Sequence, residues 1–307
     1  MKSLFDIQVN GFGGVDFQSP HLTAESMELA VDALSKHQTR RFFATLITDS
    51  IPSLLAKFQN MERIRNSTTR VSKAVCGYHL EGPWISPEIG YRGAHNERHI
   101  GPPDWEDFLS LQDAAGGNIR LLTLAPEWPG SHAFIERAVA SGVCVSLGHT
   151  NATSTEIDAA VSSGARFCTH LGNGVPQLLP RHDNVIQRLL AHDGLAAFFI
   201  PDGVHLPPHV LKNLFRSKPV CKAFFTSDCM SAAGAPPGCY RLGDLEIQVG
   251  IDRIAHMPDG PGFAGSVLCP DEALDNLVAW LGLTQSHARS LFSEAIASEF
   301  GIILPEL

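Results

Sequence analysis

Two histidines close apolar runs: Val143-Cys144-Val145-Ser146-Leu147-Gly148-His149 and Phe167-Cys168-Thr169-His170. They stand 21 residues apart, the length of one helix plus one strand. Glu81 ends a third such run (Val75 to Glu81), and Asp228 ends a fourth (Val220 to Asp228). Imidazole and carboxylate are the side chains that hold divalent metals and carry protons. Glu81, His149 and His170 supply one carboxylate and two imidazoles and leave a coordination position for water, which is a catalytic zinc set. A metal lowers the pKa of its bound water, and Asp228 is the candidate to take that proton and return it to a leaving amine. Taken singly, a strand-ending Asp is often an N-cap and a strand-ending His a packing residue. Four together at four strand ends point to a metal-dependent hydrolase.

Something must bring four strand ends together. Apolar β-rich runs at 4–10, 41–48, 75–81, 119–126, 144–149, 167–172, 196–201 and 220–228 alternate with amphipathic stretches. The helices predicted are Ala24–His37, Ser53–Asn66, Ser131–Ser141, Ser154–Ser163, Val185–His192 and Pro208–Ser217. Eight strands, most followed by a helix, predict a (β/α)8 TIM-like barrel, whose catalytic face is the C-terminal end of its strands. The rival is a doubly wound open sheet with a phosphate loop after its first strand, and Gly11-Phe12-Gly13-Gly14 fits neither G-x-G-x-x-G nor a Walker loop. Strand alternation predicts Phe5, Ile7 and Val9 facing outward, with Gln8 and Asn10 looking into the mouth. It places His79 one layer below Glu81, aligns Val145, Leu147 and His149 on one face of strand 5, and aligns Phe224, Thr226 and Asp228 on one face of strand 8. A long Pro/Gly/His-rich loop spans 83–104, and loops of that length are usually functional or disordered. A small β excursion covers about 238–268 before final helices at about 271–282 and 284–299. No interdomain linker is visible, so 1–307 reads as a single domain.

Composition narrows the partners. Of 307 residues 44% are hydrophobic, ample for a sizeable core. The net charge of −9 comes without a Lys/Arg cluster, which disfavours nucleic acid or an anionic membrane as a main partner. No apolar run reaches the roughly 18 residues of a membrane span, and the N-terminus lacks a signal-like pattern. Seven cysteines, an odd number with no Cys-x-x-Cys pair, sit mostly in apolar runs (Cys76, Cys144, Cys168, Cys221) and read as reduced, packed thiols of a cytoplasmic enzyme. Lys222, at the start of the last strand, is at the wrong end of a barrel for Schiff-base chemistry.

Several segments in order resemble the N-acetylglucosamine-6-phosphate deacetylase family of the amidohydrolase superfamily. They are Asp6-Ile-Gln-Val-Asn-Gly11, Gly14-Val-Asp-Phe17, His79-Leu-Glu-Gly-Pro83, Gly93-Ala-His-Asn96, Leu124-Ala-Pro-Glu127, Gly148-His-Thr-Asn-Ala152, Thr169-His-Leu-Gly-Asn173, Asp202-Gly-Val-His205 and Ala264-Gly-Ser-Val-Leu268. The resemblance runs from about residue 5 to 290 and implies a barrel with metal on Glu81, His149 and His170 and with Asp228 as acid/base. It implies hydrolysis of the acetamide of an N-acetyl amino sugar, N-acetylglucosamine 6-phosphate first, with His205 or His95 helping the metal polarise the carbonyl. Gln8-Val9-Asn10 stands where many superfamily members carry His-x-His. Amides are poor ligands for transition metals, so one tightly held ion is expected, zinc first, with iron or another divalent ion also compatible. His95 and His205 match histidines that contact the sugar or its acetyl group. Asn173, with Gly174 beside it, and Arg181 match residues near the sugar phosphate, and Gln8 lies at the same mouth.

The chain also departs from the family pattern. Asn173-Gly174-Val175 replaces the usual Asn-Ala-Met, and Gln177 to Asn184 diverges, which leaves room for another N-acyl sugar or a cyclic amide as substrate. Ser227-Asp228-Cys229 replaces Thr-Asp-Ala and keeps the aspartate. Segments for the family's accessory β-sandwich are missing from this sequence. A bare barrel is therefore expected, its uncovered surface polar, covered by the termini, or used in a homo-oligomer. A non-catalytic sugar-phosphate-binding barrel is the rival of a different class, opposed by the complete ligand set.

Overall fold

The eight apolar runs become eight parallel strands, each hydrogen-bonded to the next in chain order. They are β1 (Leu4–Val9), β2 (Thr39–Ile47), β3 (Val75–Glu81), β4 (Ile119–Leu124), β5 (Cys144–Leu147), β6 (Phe167–Cys168), β7 (Ala196–Phe199) and β8 (Ala223–Phe225). This is the expected TIM-like arrangement, observed in a computed structural model that describes residues 1–257 and 262–307. Between β1 and β8 the seam is drawn together by a parallel bridge from Val9 to Cys229. Buried Asp6 reinforces it, accepting from the Thr226 hydroxyl at 2.6 Å and the Ser227 N–H at 3.2 Å.

Helices form where apolar stripes coincide with caps. Thr23 caps Ala24–Lys36, Ser50 caps Ile51–Ser67, and Thr153 with Glu156 makes a capping box for Ser154–Ser162. Trp105–Ala114, capped by Asp104, is absent from the predicted helices: only Phe108 and Leu111 of its ten residues are buried, too thin a stripe to read. The last strand is shorter than its apolar run, because Val220–Lys222 after Pro219 is a 3-10 turn. Cys221 is likewise exposed, not packed.

Inside the barrel the residues stack in layers. The lowest is aromatic: Phe5, Phe43, Phe167, Phe198 and Phe224, plugged from below by Ile296, Ala297 and Phe300 of the C-terminal helix. Phe43 meets Phe5 and Phe300 edge-to-face, at 5.0 Å in both cases. Above lies a polar layer. His79 Nε2 bonds Thr123 Oγ1 at 2.7 Å, and Thr169 Oγ1 bonds both Thr123 and Ser146, at 2.7 and 2.6 Å. The site forms the third layer.

These layers correct the predicted strand parity. Phe5 and Ile7 point inward, into the aromatic layer, while Val9 packs outward. A register shift between Asp6 and Val9 places one extra residue in β1, and a bulge of this kind re-aims the side chains beyond it. Gln8 and Asn10 consequently reach the upper interior even though Phe5 and Ile7 occupy the lower. In β5, Val145 and Leu147 pack outward, and Ser146 is the inward residue.

The excursion after β8 contains a hairpin, β9 (Gly238–Leu242) and β10 (Leu245–Val249). Leu242, Ile247 and Val249 pack with Met230, Ala232, Ala255, Ala264 and Val267 in a small core beside the mouth. Residues 258–261 of that excursion lie outside the described residues. Among the described residues no helix is long and apolar enough to cross a membrane.

Candidate active site

By strand alternation His149 and His170 would face outward, because Ser146 and Thr169 already occupy the inward positions. Both are turned into the mouth by left-handed backbone, φ +51 at His149 and +30 at His170. Asp228 has φ +50 as the chain leaves β8, and Gly82, directly after Glu81, has φ +80. Non-glycine residues pay roughly 1–2 kcal/mol for this conformation, and such strain collects at functional sites. Among the described residues, only Gln38 and Arg253 share it outside glycine.

The result is a tight cluster. Glu81 Oε1 lies 2.9 Å from His170 Nε2 and 3.3 Å from His149 Nε2, and the two Nε2 atoms are 3.1 Å apart. His149 Nδ1 bonds the Tyr91 carbonyl at 2.8 Å, so it carries the proton and leaves a lone pair on Nε2. Among the described residues, His170 Nδ1 is buried without a partner. Lone pairs and a carboxylate oxygen at these separations repel unless a cation lies among them. Tetrahedral ligands at about 2.0–2.2 Å from zinc are about 3.3–3.6 Å apart, close to the observed edges. The donor set therefore fits a divalent metal. Burial alone would raise the Glu81 pKa, but the His149 and His170 rings beside it hold it well below the usual carboxylate range.

Other groups surround this cluster. Gln8 Nε2 donates to Glu81 Oε2 at 3.1 Å, and Gln8 is fully buried, so it anchors the carboxylate from behind. Asn10 Nδ2 donates to Asp228 Oδ1 at 2.8 Å, a contact with no sequence signal beyond Asn10's inward position. Burial pushes the Asp228 carboxyl up to about 8, against the opposing pull of His170, with Glu81 adding to the rise. His95 is closer to the metal cluster than the motif alone suggested: it, Glu81 and His149 have ligand atoms within 4.8 Å of one another. Thr48, missed in the sequence, bonds His95 Nδ1 at 2.7 Å. Burial drives the His95 pKa down to about 3, leaving a neutral imidazole. Asp202 Oδ2 holds His205 Nδ1 at 2.6 Å, and Phe263 packs on that ring.

A cavity of about 560 Å³ opens above the cluster. Asn10, Glu81, His95, His149, His170 and Asp228 line its base, and Asn173, Gly174 and His205 line its wall. Arg181 is exposed and is not among the lining residues, although Gln177 on the same loop is.

No protein-family model matches the chain. It is 30% identical over 304 residues to N-acetylglucosamine-6-phosphate deacetylase of Bacillus subtilis, covering 98% of this chain and 75% of that protein. It is 37% identical over 294 residues to the human enzyme of the same name, covering 92% and 70%. The chain belongs to the N-acetylglucosamine-6-phosphate deacetylase family. A solved structure of a mutant of the Mycobacterium smegmatis deacetylase, in complex with N-acetyl-D-glucosamine-6-phosphate, superposes with a TM-score of 0.88 at 28% identity, covering 98% of this chain and 77% of that one. The deacetylase fold and the amidohydrolase class expected from the motifs are thereby established, and with them a metal-dependent hydrolase.

Proposed function

We propose that this chain hydrolyses the acetamide of an N-acetyl amino sugar, N-acetylglucosamine 6-phosphate first, giving acetate and the amino sugar phosphate. The observation that carries the reading is the convergence of Glu81, His149 and His170 within 3.3 Å at the floor of a sugar-sized cavity that Asp228 also lines. These three residues would hold one divalent ion, zinc first. When bound, such an ion acidifies water and polarises a carbonyl. Asp228, steadied by Asn10 and ionised once a cation on the neighbouring ligands draws its pKa down, takes the proton from the attacking water as the C–O bond forms. It then delivers that proton to the nitrogen as the C–N bond breaks. With its Nδ1–H given to Asp202, His205 presents Nε2 to the acetyl oxygen, where negative charge develops, and polarises it when that nitrogen also carries a proton. His95 and Asn173 bind sugar hydroxyls, the Gly174 backbone leaves space for the ring, and Arg181 is assigned to the phosphate.

One observation favours a second reading. None of the described residues lining the cavity is Lys or Arg, so an unphosphorylated N-acyl sugar would also sit there without an unpaired dianion. Acetate release from N-acetylglucosamine, its 6-phosphate and the galacto epimer of each decides between the two. A kcat/KM much higher for the 6-phosphate, falling selectively in Arg181→Ala, supports the first. Equal rates with and without phosphate support the second. The unpaired cysteines suit a reducing cytoplasm, and whether copies associate is a matter for sedimentation.

A further inference from the structure

His149 leaves β5 in a left-handed conformation, and the bonds that hold it there come mostly from distant segments. Two come from the long loop 83–104: the Ser86 N–H donates to the His149 carbonyl at 2.8 Å, and the Tyr91 carbonyl accepts from Nδ1 at 2.8 Å. The opposite flank is held by Glu127, from the loop after β4. Its Oε1 accepts from the Asn151 N–H at 2.9 Å, and its Oε2 accepts from the Thr150 hydroxyl. Thr150 Oγ1 in turn accepts from the Ala152 N–H at 3.0 Å, and the Asn151 side chain donates to Glu88 of the long loop at 3.0 Å. Both oxygens of one carboxylate thus clamp the two residues that follow His149.

Glu127 has no Lys, Arg or His in ion-pair contact among the described residues, and burial raises its pKa above the ordinary range. A partly buried carboxylate without a cation is a cost to stability that packing alone does not call for. Its geometry answers a different need. Two acceptors meet two donors in a turn whose only strained residue is His149. Releasing that turn would let His149 relax towards ordinary φ and swing its Nε2 away from Glu81 and His170.

We propose that Glu127 is a positioning residue for metal binding: it locks the turn at Thr150 and Asn151 so that His149 faces its two fellow ligands. The inference rests on the reading of Glu81, His149 and His170 as the metal set. Outer partners that orient ligands typically change metal affinity by about 10–100-fold when removed.

The test is zinc affinity by chelator competition, with melting curves, on the full chain and four variants. Glu127→Ala should bind zinc about 10–100-fold more weakly while remaining folded. Glu127→Gln keeps one acceptor and should fall between Ala and the parent. Glu62→Gln, which loses an acceptor of Tyr78 and Arg65 on an outer helix, should lower the melting temperature and leave zinc affinity unchanged. Parental affinity in Glu127→Ala overturns the proposal, as does an equal loss in Glu62→Gln. His149→Ala separates the two levels of inference: zinc affinity unchanged in that variant refutes the ligand set itself, whereas a loss there with none in Glu127→Ala refutes only the positioning role.

Discussion

Gly174→Ala tests the site through a single methyl group. Gly174 has φ +62, and a Cβ built there lies 2.8 Å from His149 Nδ1 and 3.0 Å from Cε1. Ordinary contact between such atoms begins near about 3.5 Å, so the ring would have to retreat by about 0.7 Å. Metal–ligand bonds tolerate only about 0.2 Å. Nδ1 is meanwhile tied to the Tyr91 carbonyl at 2.8 Å, so the ring cannot move without losing a bond on one side or the other. Added to this is a left-handed backbone penalty of roughly 1–2 kcal/mol for alanine. The penalty alone can be measured in Gly117→Ala, where φ is +77 and a Cβ meets nothing within 4 Å. We expect both variants to lose similar stability in denaturant melts, with Gly174→Ala somewhat lower. Only Gly174→Ala should lose acetate release, by about 100-fold in kcat/KM, the scale expected of a ligand misplaced by up to about 1 Å. Parental turnover in Gly174→Ala, or an equal loss in Gly117→Ala, would refute the claim that this glycine is there to make room for the ligand ring.

Other perturbations address separate parts of the chain. Asp228→Asn should lower kcat by about 10²–10⁴-fold and leave zinc content unchanged, because the amide oxygen still accepts from Asn10 but carries no proton; turnover near the parent's would remove Asp228 from the mechanism. Lys218→Met should destabilise the fold by about 3 kcal/mol in urea melts, since it removes the buried ammonium that binds the carbonyls of Leu189, His192 and Leu195 at 3.1, 2.7 and 3.0 Å. Burial raises Asp16 to about 6, against N–H donation from Gln18 and Gly243. The folded state therefore holds this proton more tightly than the unfolded chain, and the stability it contributes at low pH is lost as pH rises through about 6. Between pH 5 and pH 7 the loss is about 1.3 kcal/mol, and a pH series of denaturant midpoints should be flatter in Asp16→Asn; an unchanged slope in that variant would show the carboxyl to be uninvolved.

The sequence by itself picked out the side chains that converge at the mouth and the height in the barrel at which they stand. Apolar runs ending in Glu81, His149, His170 and Asp228 were legible because a strand needs several consecutive apolar residues, and a polar ligand fits only where the strand stops. Motif order supplied the family on the same local evidence. The thin-striped helix Trp105–Ala114 was hidden, as a helix held mainly by its cap and two buried residues has little periodicity to read. Facing was decided only by the tertiary structure. Alternation would send His149 and His170 outward and Phe5 and Ile7 with them, and in each case the opposite holds. A bulge in β1 and left-handed turns at both histidines reverse the side, and both devices are locally unfavourable. They persist because distant groups hold them: Thr45 bonds the Val9 N–H, and Ser86, Tyr91 and Glu127 bind His149 or the two residues after it. No local pattern records those partners, because the free energy that fixes the facing resides in contacts between segments far apart in the chain.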